Sequence, residues 1–189
     1  AVSAIILGMG MTTTAVYITV AALIVPSLIE SGIMPIAAHM FAFYFGVVST
    51  ITPPVALASF AGAAIAKSPP MSTAVESSKV GIAKYIVPFA FVYNPSLLME
   101  GPIIWSIYSL ISVLLAYWCM TLGLEGWFNG KLNAFKRTLA LIGSVALLIP
   151  PLQNIYGIDG LYINFLGIFI LMIIYYLQGK LSLNVKVTT

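Results

Sequence analysis

Residues 43–66 read FYFGVVSTITPPVALASFAGAAIA, an apolar run interrupted at its centre by Ser49-Thr50-Ile51-Thr52-Pro53-Pro54. Two consecutive prolines remove two backbone donors and cannot sit inside a continuous helix, so a first half-helix must stop before them with its last carbonyls unpaired. Thr52 is placed to cap a second half-helix, whose first turn tolerates proline because its N–H groups have no partner within the helix. The apolar run reaches back to Met34, so residues 34–65 read as one long traverse with a break halfway.

The rest of the chain identifies the solvent around that traverse. Of 189 residues, 61% are hydrophobic and 7% charged, where a soluble domain carries roughly 25% charged residues. Mean hydropathy is +1.07. This is the composition of an integral membrane protein, and its spans must be helical because lipid offers no water to unpaired strand edges. Residues 15–29, 85–99 (containing Pro88), 103–122, 138–152 and 161–177 supply further apolar stretches near the ~20 residues that a span requires. The expected fold is all-α and polytopic. It divides into residues 1–66 (hairpin and broken helix), 67–84 (connection with a short amphipathic helix around Met71, Val75, Val80 and Ile82), 85–122 (following helices) and 123–189 (extra C-terminal helices and a frayed tail, LNVKVTT).

Charge fixes the expected orientation. Lys67, Lys79 and Lys84 share one connection, Lys131, Lys136 and Arg137 the next but one, and Lys180 and Lys186 the tail. Alternating crossings therefore put all eight basic residues on one face, which the positive-inside rule makes cytoplasmic, together with the C-terminus. A net charge of +3 spread over loops excludes a nucleic-acid stripe. One Cys (Cys119) and one His (His39) exclude an internal disulfide and the usual transition-metal sites. His39 reads as an interhelical hydrogen-bonding group, Cys119 as a packed small residue, Asn94 as a structural cap, and the Trp and Tyr residues near span ends as interfacial anchors. The spans contain no carboxylate pair and no nucleophile, base and acid set, so enzyme chemistry has no visible machinery.

A second polar cluster precedes the first. Gly8-Met9-Gly10-Met11-Thr12-Thr13-Thr14 lies between Ile5-Ile6-Leu7 and the helix beginning near Ala15. No basic residue precedes it, and it reads as the tip of a re-entrant hairpin open to the outside. Glycines permit the reversal and the threonine hydroxyls are placed to cap the N–H groups of the second hairpin helix. Small residues also permit ordinary close helix packing, but two mid-membrane breaks favour another reading. Carbonyl ends attract Na⁺ and helix N-termini attract carboxylates without buried formal charge. Gly8 and the carbonyls of Ser49 to Thr52 are the expected cation ligands, and Thr12, Thr13 and Thr14 are expected to face an anionic substrate.

Three blocks carry a resemblance: GMGMTTTAVYI, FYFGVVSTITPPVALASFAGAAIA and IVPFAFVYNPSLL, in that order. Together they resemble the large membrane subunit of TRAP transporters, and most closely the fused permeases associated with TAXI-type binding proteins. The resemblance covers residues 1 to 100; residues 103 to 189 correspond only to that subfamily's extra C-terminal helices. It implies an elevator-type secondary transporter in the bacterial or archaeal inner membrane that imports small organic anions with Na⁺. A periplasmic substrate-binding protein would deliver the substrate, and the small-subunit helices would be fused upstream. Na⁺ is the coupling ion and no cofactor is implied. Carried over by position, Gly8, Ser49, Thr52 and Val55 form the Na⁺ site. This chain has Thr12 where the family's hairpin has Pro, and Ser49-Thr50 where a Gly or acidic residue commonly precedes Ile-Thr-Pro-Pro. The inverted-repeat partner is expected upstream, so these residues read as the C-terminal part of a longer protein and are not expected to transport alone. Two other readings stand beside this one: a structural or assembly module of such a complex, and another Na⁺-coupled carrier.

Overall fold

In a computed structural model, the structure describes residues 1–128, 130–155 and 157–187. The chain forms two compact units, Ala1–Leu98 and Met99–Thr189.

In the first unit, α1 (Val2–Gly8) and α2 (Thr13–Leu23) form a hairpin. The chain reverses at Gly10, whose φ of +80 is left-handed and sterically easy only without a Cβ. A short α3 (Val25–Glu30) follows. Residues 15–29 are thus two helices, where one was expected. Pro26 opens α3, and its missing N–H ends the α2 ladder near Ile24.

The stretch expected to form one long traverse is α4 (Pro35–Val48), an irregular segment at residues 49–56, and α5 (Leu57–Ala66). At 14 and 10 residues the two helices rise about 21 and 15 Å at 1.5 Å per residue. Neither alone crosses a ~30 Å hydrocarbon layer. Lys67, left-handed at φ 52, ends α5. The next connection holds α6 (Pro70–Val80), and α7 (Ile82–Tyr93) carries Pro88 inside it, before a single 3₁₀ turn at Pro95–Leu98.

The core of this unit lies where α1, α2 and α4 meet, around Ala4, Val16, Val20, Ala38, Phe41, Ala42 and Phe45. Phe89 of α7 closes it with edge-on contacts to Phe41 and Phe45, at ring-centre distances of 5.4 and 5.6 Å. Val16 is fully buried and acts as a wedge. A Cβ on Gly8 would stand 2.9 Å from its Cγ1, and a Cβ on Gly46 would stand 2.8 Å from the same atom. One methyl group therefore fills a space bounded by two glycines from different helices.

The second unit is built on α8 (Ile103–Glu125), α9 (Ala134–Leu148) and α10 (Gly160–Val187), with a two-residue hairpin, β1 (Asn154–Ile155) and β2 (Ile158–Asp159), before α10. α8 and residues Gly160–Leu177 are long and apolar enough to cross a membrane. The third expected stretch, 138–152, is displaced: α9 starts four residues earlier and stops ahead of Pro150-Pro151, as a helix must when its next donors are missing. α10 continues to Val187, so the tail expected to fray is helical over residues 183–187; Thr188 and Thr189 lie outside the described residues.

Glycines set the spacing here too. A Cβ on Gly123 would come within 2.7 Å of Leu141, and one on Gly167 within 2.6 Å of Leu147. Small residues let the helix axes approach this closely. Polar side chains then close the helix ends. Arg137 of α9 donates through Nε to Gly123 O (2.9 Å) and through Nη2 to Leu124 O (2.7 Å), putting a cation on the negative end of α8. Ser112 donates to Leu147 O at 2.7 Å. With its nitrogen turned toward the carbonyls, the fully buried Asn164 amide donates to Ala146 O (2.7 Å) and Ile149 O (3.2 Å).

Candidate functional site

Past the i→i−4 ladder of α4, Val47 O and Val48 O accept the N–H groups of Thr50 and Ile51 at 3.1 Å each, and the residues that follow also turn their hydroxyls back onto the end of the helix. Ser49 Oγ, fully buried, lies 2.5 Å from Gly46 O. Thr50 Oγ1 donates to Val47 O and Thr52 Oγ1 to Val48 O, both at 2.7 Å. Three successive carbonyls are thereby answered by three hydroxyls. This corrects the expected role of Thr52, which does not cap α5. A carbonyl oxygen has two lone pairs, so Val48 O takes the Thr52 hydroxyl beside the Ile51 N–H, and the hydroxyl goes to the carbonyl end. The break is also longer than expected. Pro53 and Pro54 lie in the irregular segment and not in the first turn of α5, which opens at Leu57 without a side-chain cap. Ala58 N–H reaches back across the break to Thr50 O at 3.0 Å.

The hairpin tip meets this break. Ser49 Oγ lies 3.0 Å from Gly8 O as well as against Gly46 O, so its single proton is shared between the two carbonyls and joins segments 41 residues apart. The approach is possible only because residue 8 is glycine: a Cβ there would stand 2.5 Å from Ser49 Oγ and 2.8 Å from Ser49 Cβ. On the far side of the turn, Val55 Cγ1 lies 3.7 Å from the position of a Cβ on Gly10. The structure therefore brings Gly8 and Ser49 into direct contact and sets Val55 beside the hairpin turn. Thr52 points elsewhere, with Val48 O and the Tyr85 hydroxyl as its partners.

Thr12, Thr13 and Thr14 are exposed at the start of α2. Thr12 is the N-cap residue by backbone, extended at φ −69 and ψ 152, but its side chain makes no capping bond. Its carbonyl accepts Val16 N–H at 2.9 Å. The expected hydroxyl cap is thus not made, and Thr12 leaves the first-turn N–H groups of α2 without its oxygen.

Three residues of the site were not singled out from the sequence. Tyr85 OH lies 2.7 Å from Thr52 Oγ1, Ser78 Oγ donates to Ile51 O at 2.9 Å, and a Cβ on Gly81 would stand 2.7 Å from Ile51 Cδ1. A tyrosine near a span end reads as an interfacial anchor, and a serine on an amphipathic helix reads as a solvated face. Neither signal points inward. An open depression of about 480 Å³, lined by Ile51, Glu76, Gly81 and Lys84 among others, lies against the same corner. His39 has the interhelical bond expected of it, with Nδ1 3.0 Å from Tyr17 OH. Among the described residues no group of three or more His, Cys, Asp or Glu could hold a metal ion.

The arrangement gathers peptide carbonyls, each already accepting a hydrogen bond through one lone pair or more, and hydroxyl oxygens at a meeting of two interrupted elements. Residues 1–106 match the family model described as "Tripartite ATP-independent periplasmic transporter, DctM component". No curated protein and no solved structure matches the chain.

Proposed function

Because the chain belongs to the DctM component family of tripartite ATP-independent periplasmic transporters, we propose that it is the C-terminal part of a Na⁺-coupled permease importing small organic anions. DctM components are membrane permeases, not enzymes, and work with a periplasmic binding protein and a small membrane subunit. The finer reading rests on one observation, the contact between Gly8 at the hairpin tip and Ser49 at the helix break.

A carbonyl oxygen has two lone pairs, so one that already accepts a hydrogen bond can still face a cation. Na⁺ would be held among the Gly8 carbonyl, Ser49, Thr52 and Val55, mostly by backbone oxygens, with hard-cation chemistry suited to oxygen ligands. Thr12, Thr13 and Thr14, exposed beside the positive end of α2, would receive the carboxylate of the substrate. Placing cation and anion on opposite sides of one hairpin makes each stabilise the other, which is the physical basis of symport. The hairpin would open outward and travel with α4 and α5 as the moving body of an elevator. The binding protein would be of the TAXI type, the small subunit would be fused upstream, and the C-terminus would lie in the cytoplasm of an inner-membrane protein.

The test is substrate uptake by the full-length permease in proteoliposomes, with its binding protein and an imposed Na⁺ gradient. Uptake is expected to need both. Equal uptake when K⁺ replaces Na⁺ on both sides removes the coupling claim.

A further inference from the structure

We infer that the corner between α6 and α7 is a positioning clamp for the broken helix, with Tyr85 and Ser78 fixing the Ile51 and Thr52 groups. The inference rests on the Na⁺ reading above and adds two residues to it. Thr52 has a single hydroxyl proton, and that proton goes to Val48 O at 2.7 Å. The 2.7 Å contact between Thr52 Oγ1 and Tyr85 OH must then be donated by the tyrosine. The result is a directed chain, Tyr85 to Thr52 to Val48. It fixes the rotation of the Thr52 hydroxyl and leaves one lone pair on its oxygen.

The peptide between Ile51 and Thr52 is held at both ends. Its carbonyl accepts from Ser78 Oγ at 2.9 Å, and its N–H donates to Ser49 O at 3.3 Å. Peptide planarity couples the two, so Ser78 sets the direction in which the N–H meets the Ser49 carbonyl. Gly81 lies against the same residue: a Cβ there would stand 2.7 Å from Ile51 Cδ1, a side-chain end that would have to turn aside. Three single i→i−3 turns, ending with Thr52 N–H, carry the chain out of α4, and residues 53–56 lie in no helix. An irregular segment acts as a set of defined ligands only when neighbours hold it, and here the neighbours are an amphipathic helix and the first turn of α7.

The clamp is tested in the full-length permease, reconstituted with its binding protein, by titrating Na⁺ against uptake of Tyr85→Phe and Ser78→Ala. Each variant removes one hydroxyl and keeps the rest of the side chain. The half-saturating Na⁺ concentration is expected to rise about three- to tenfold, the effect of losing one neutral hydrogen bond. Substrate KM at saturating Na⁺ is expected to stay within about twofold, a split that general loosening of the fold would not give. Tyr93→Phe, an exposed tyrosine at the end of α7, is the control. Tyr85→Phe added to Thr52→Val should cost less than the sum of the two, because the second change removes a bond already lost.

Unchanged Na⁺ dependence in both single variants, with Thr52→Val still shifting it, overturns the clamp and leaves the ion site standing. If Thr52→Val also leaves the Na⁺ response unchanged, the site itself is elsewhere and both readings fail. If one variant does not assemble, the other carries the test alone.

Discussion

Replacing Gly8 by Ala tests the contact on which the site depends. The new methyl carbon would stand 2.5 Å from Ser49 Oγ, 2.8 Å from Ser49 Cβ and 2.9 Å from Val16 Cγ1, where ordinary contact is about 3.5–4.0 Å. Rotating Ser49 relieves only the first overlap, because its own Cβ is struck as well. Val16 and Ser49 are both fully buried and have no open space to enter. The hairpin tip must therefore withdraw by about 1 Å, the shortfall against ordinary contact, which stretches the 3.0 Å link between Gly8 O and Ser49 Oγ beyond hydrogen-bonding range. Overpacking of this kind costs about 1–3 kcal/mol, and loss of the Gly8 share of the Ser49 hydroxyl adds up to about 1 kcal/mol, since the proton keeps its bond to Gly46 O. If half of the total falls on the ion-bound geometry, Na⁺ affinity drops roughly tenfold at 1.4 kcal/mol per decade. The assay is the Na⁺ titration of uptake described above, with thermal unfolding in detergent measured with and without Na⁺, since a ligand bound only to the folded state raises its midpoint. Gly62→Ala is the matched control, because a Cβ there meets nothing within 4 Å; it should be neutral or stabilising by up to about 1 kcal/mol. A Gly8→Ala permease with the wild-type Na⁺ curve and wild-type melting behaviour would refute the packing argument.

Three further outcomes are expected. Arg137→Met should destabilise the protein by about 2–3 kcal/mol through loss of both donors at the end of α8, seen as a lower unfolding midpoint in detergent, and Arg137→Lys should restore only part of it because an ammonium lacks the two-pronged geometry; full recovery in the lysine variant would show that charge alone matters. Asn164→Leu should destabilise the protein by about 1–3 kcal/mol, since it takes both amide donors from the Ala146 and Ile149 carbonyls, and an unchanged midpoint in thermal unfolding would show that the amide faces the other way. Thr12→Ala should change stability by less than about 0.5 kcal/mol, where loss of a working N-cap costs typically ~1 kcal/mol, while raising substrate KM; a full cap-sized loss of stability would show that the hydroxyl caps α2 after all.

The two interruptions were legible in the sequence because their causes are local. Pro53-Pro54 denies the ladder its donors whatever surrounds it, and Gly10 in a run of polar and small residues permits a reversal that its neighbours would resist. The break at Ile24 had the same kind of signal in Pro26, which a reading of residues 15–29 as one span passed over. The partners of the hydroxyls were not legible. Thr52 chooses between two half-helices and a tyrosine 33 residues away, and that choice depends on which groups are left unsatisfied once the helices have packed. Ser78 and Tyr85 belong to the same class: each is ordinary in its own helix and informative only beside residues 51 and 52. Arg137 was read for orientation alone, although its side chain also closes the end of the preceding helix.

The valine methyl held between Gly8 and Gly46 makes positions 8, 16 and 46 one steric unit. Mutational drift at these positions is not free to proceed one step at a time. An alanine at 46 becomes admissible only after residue 16 has shrunk, one at 8 needs residue 49 to give way as well, and a shrunken residue 16 alone leaves a void that favours the next exchange. Among homologous chains these three columns should therefore change in concert, with their summed side-chain volume conserved better than any one identity.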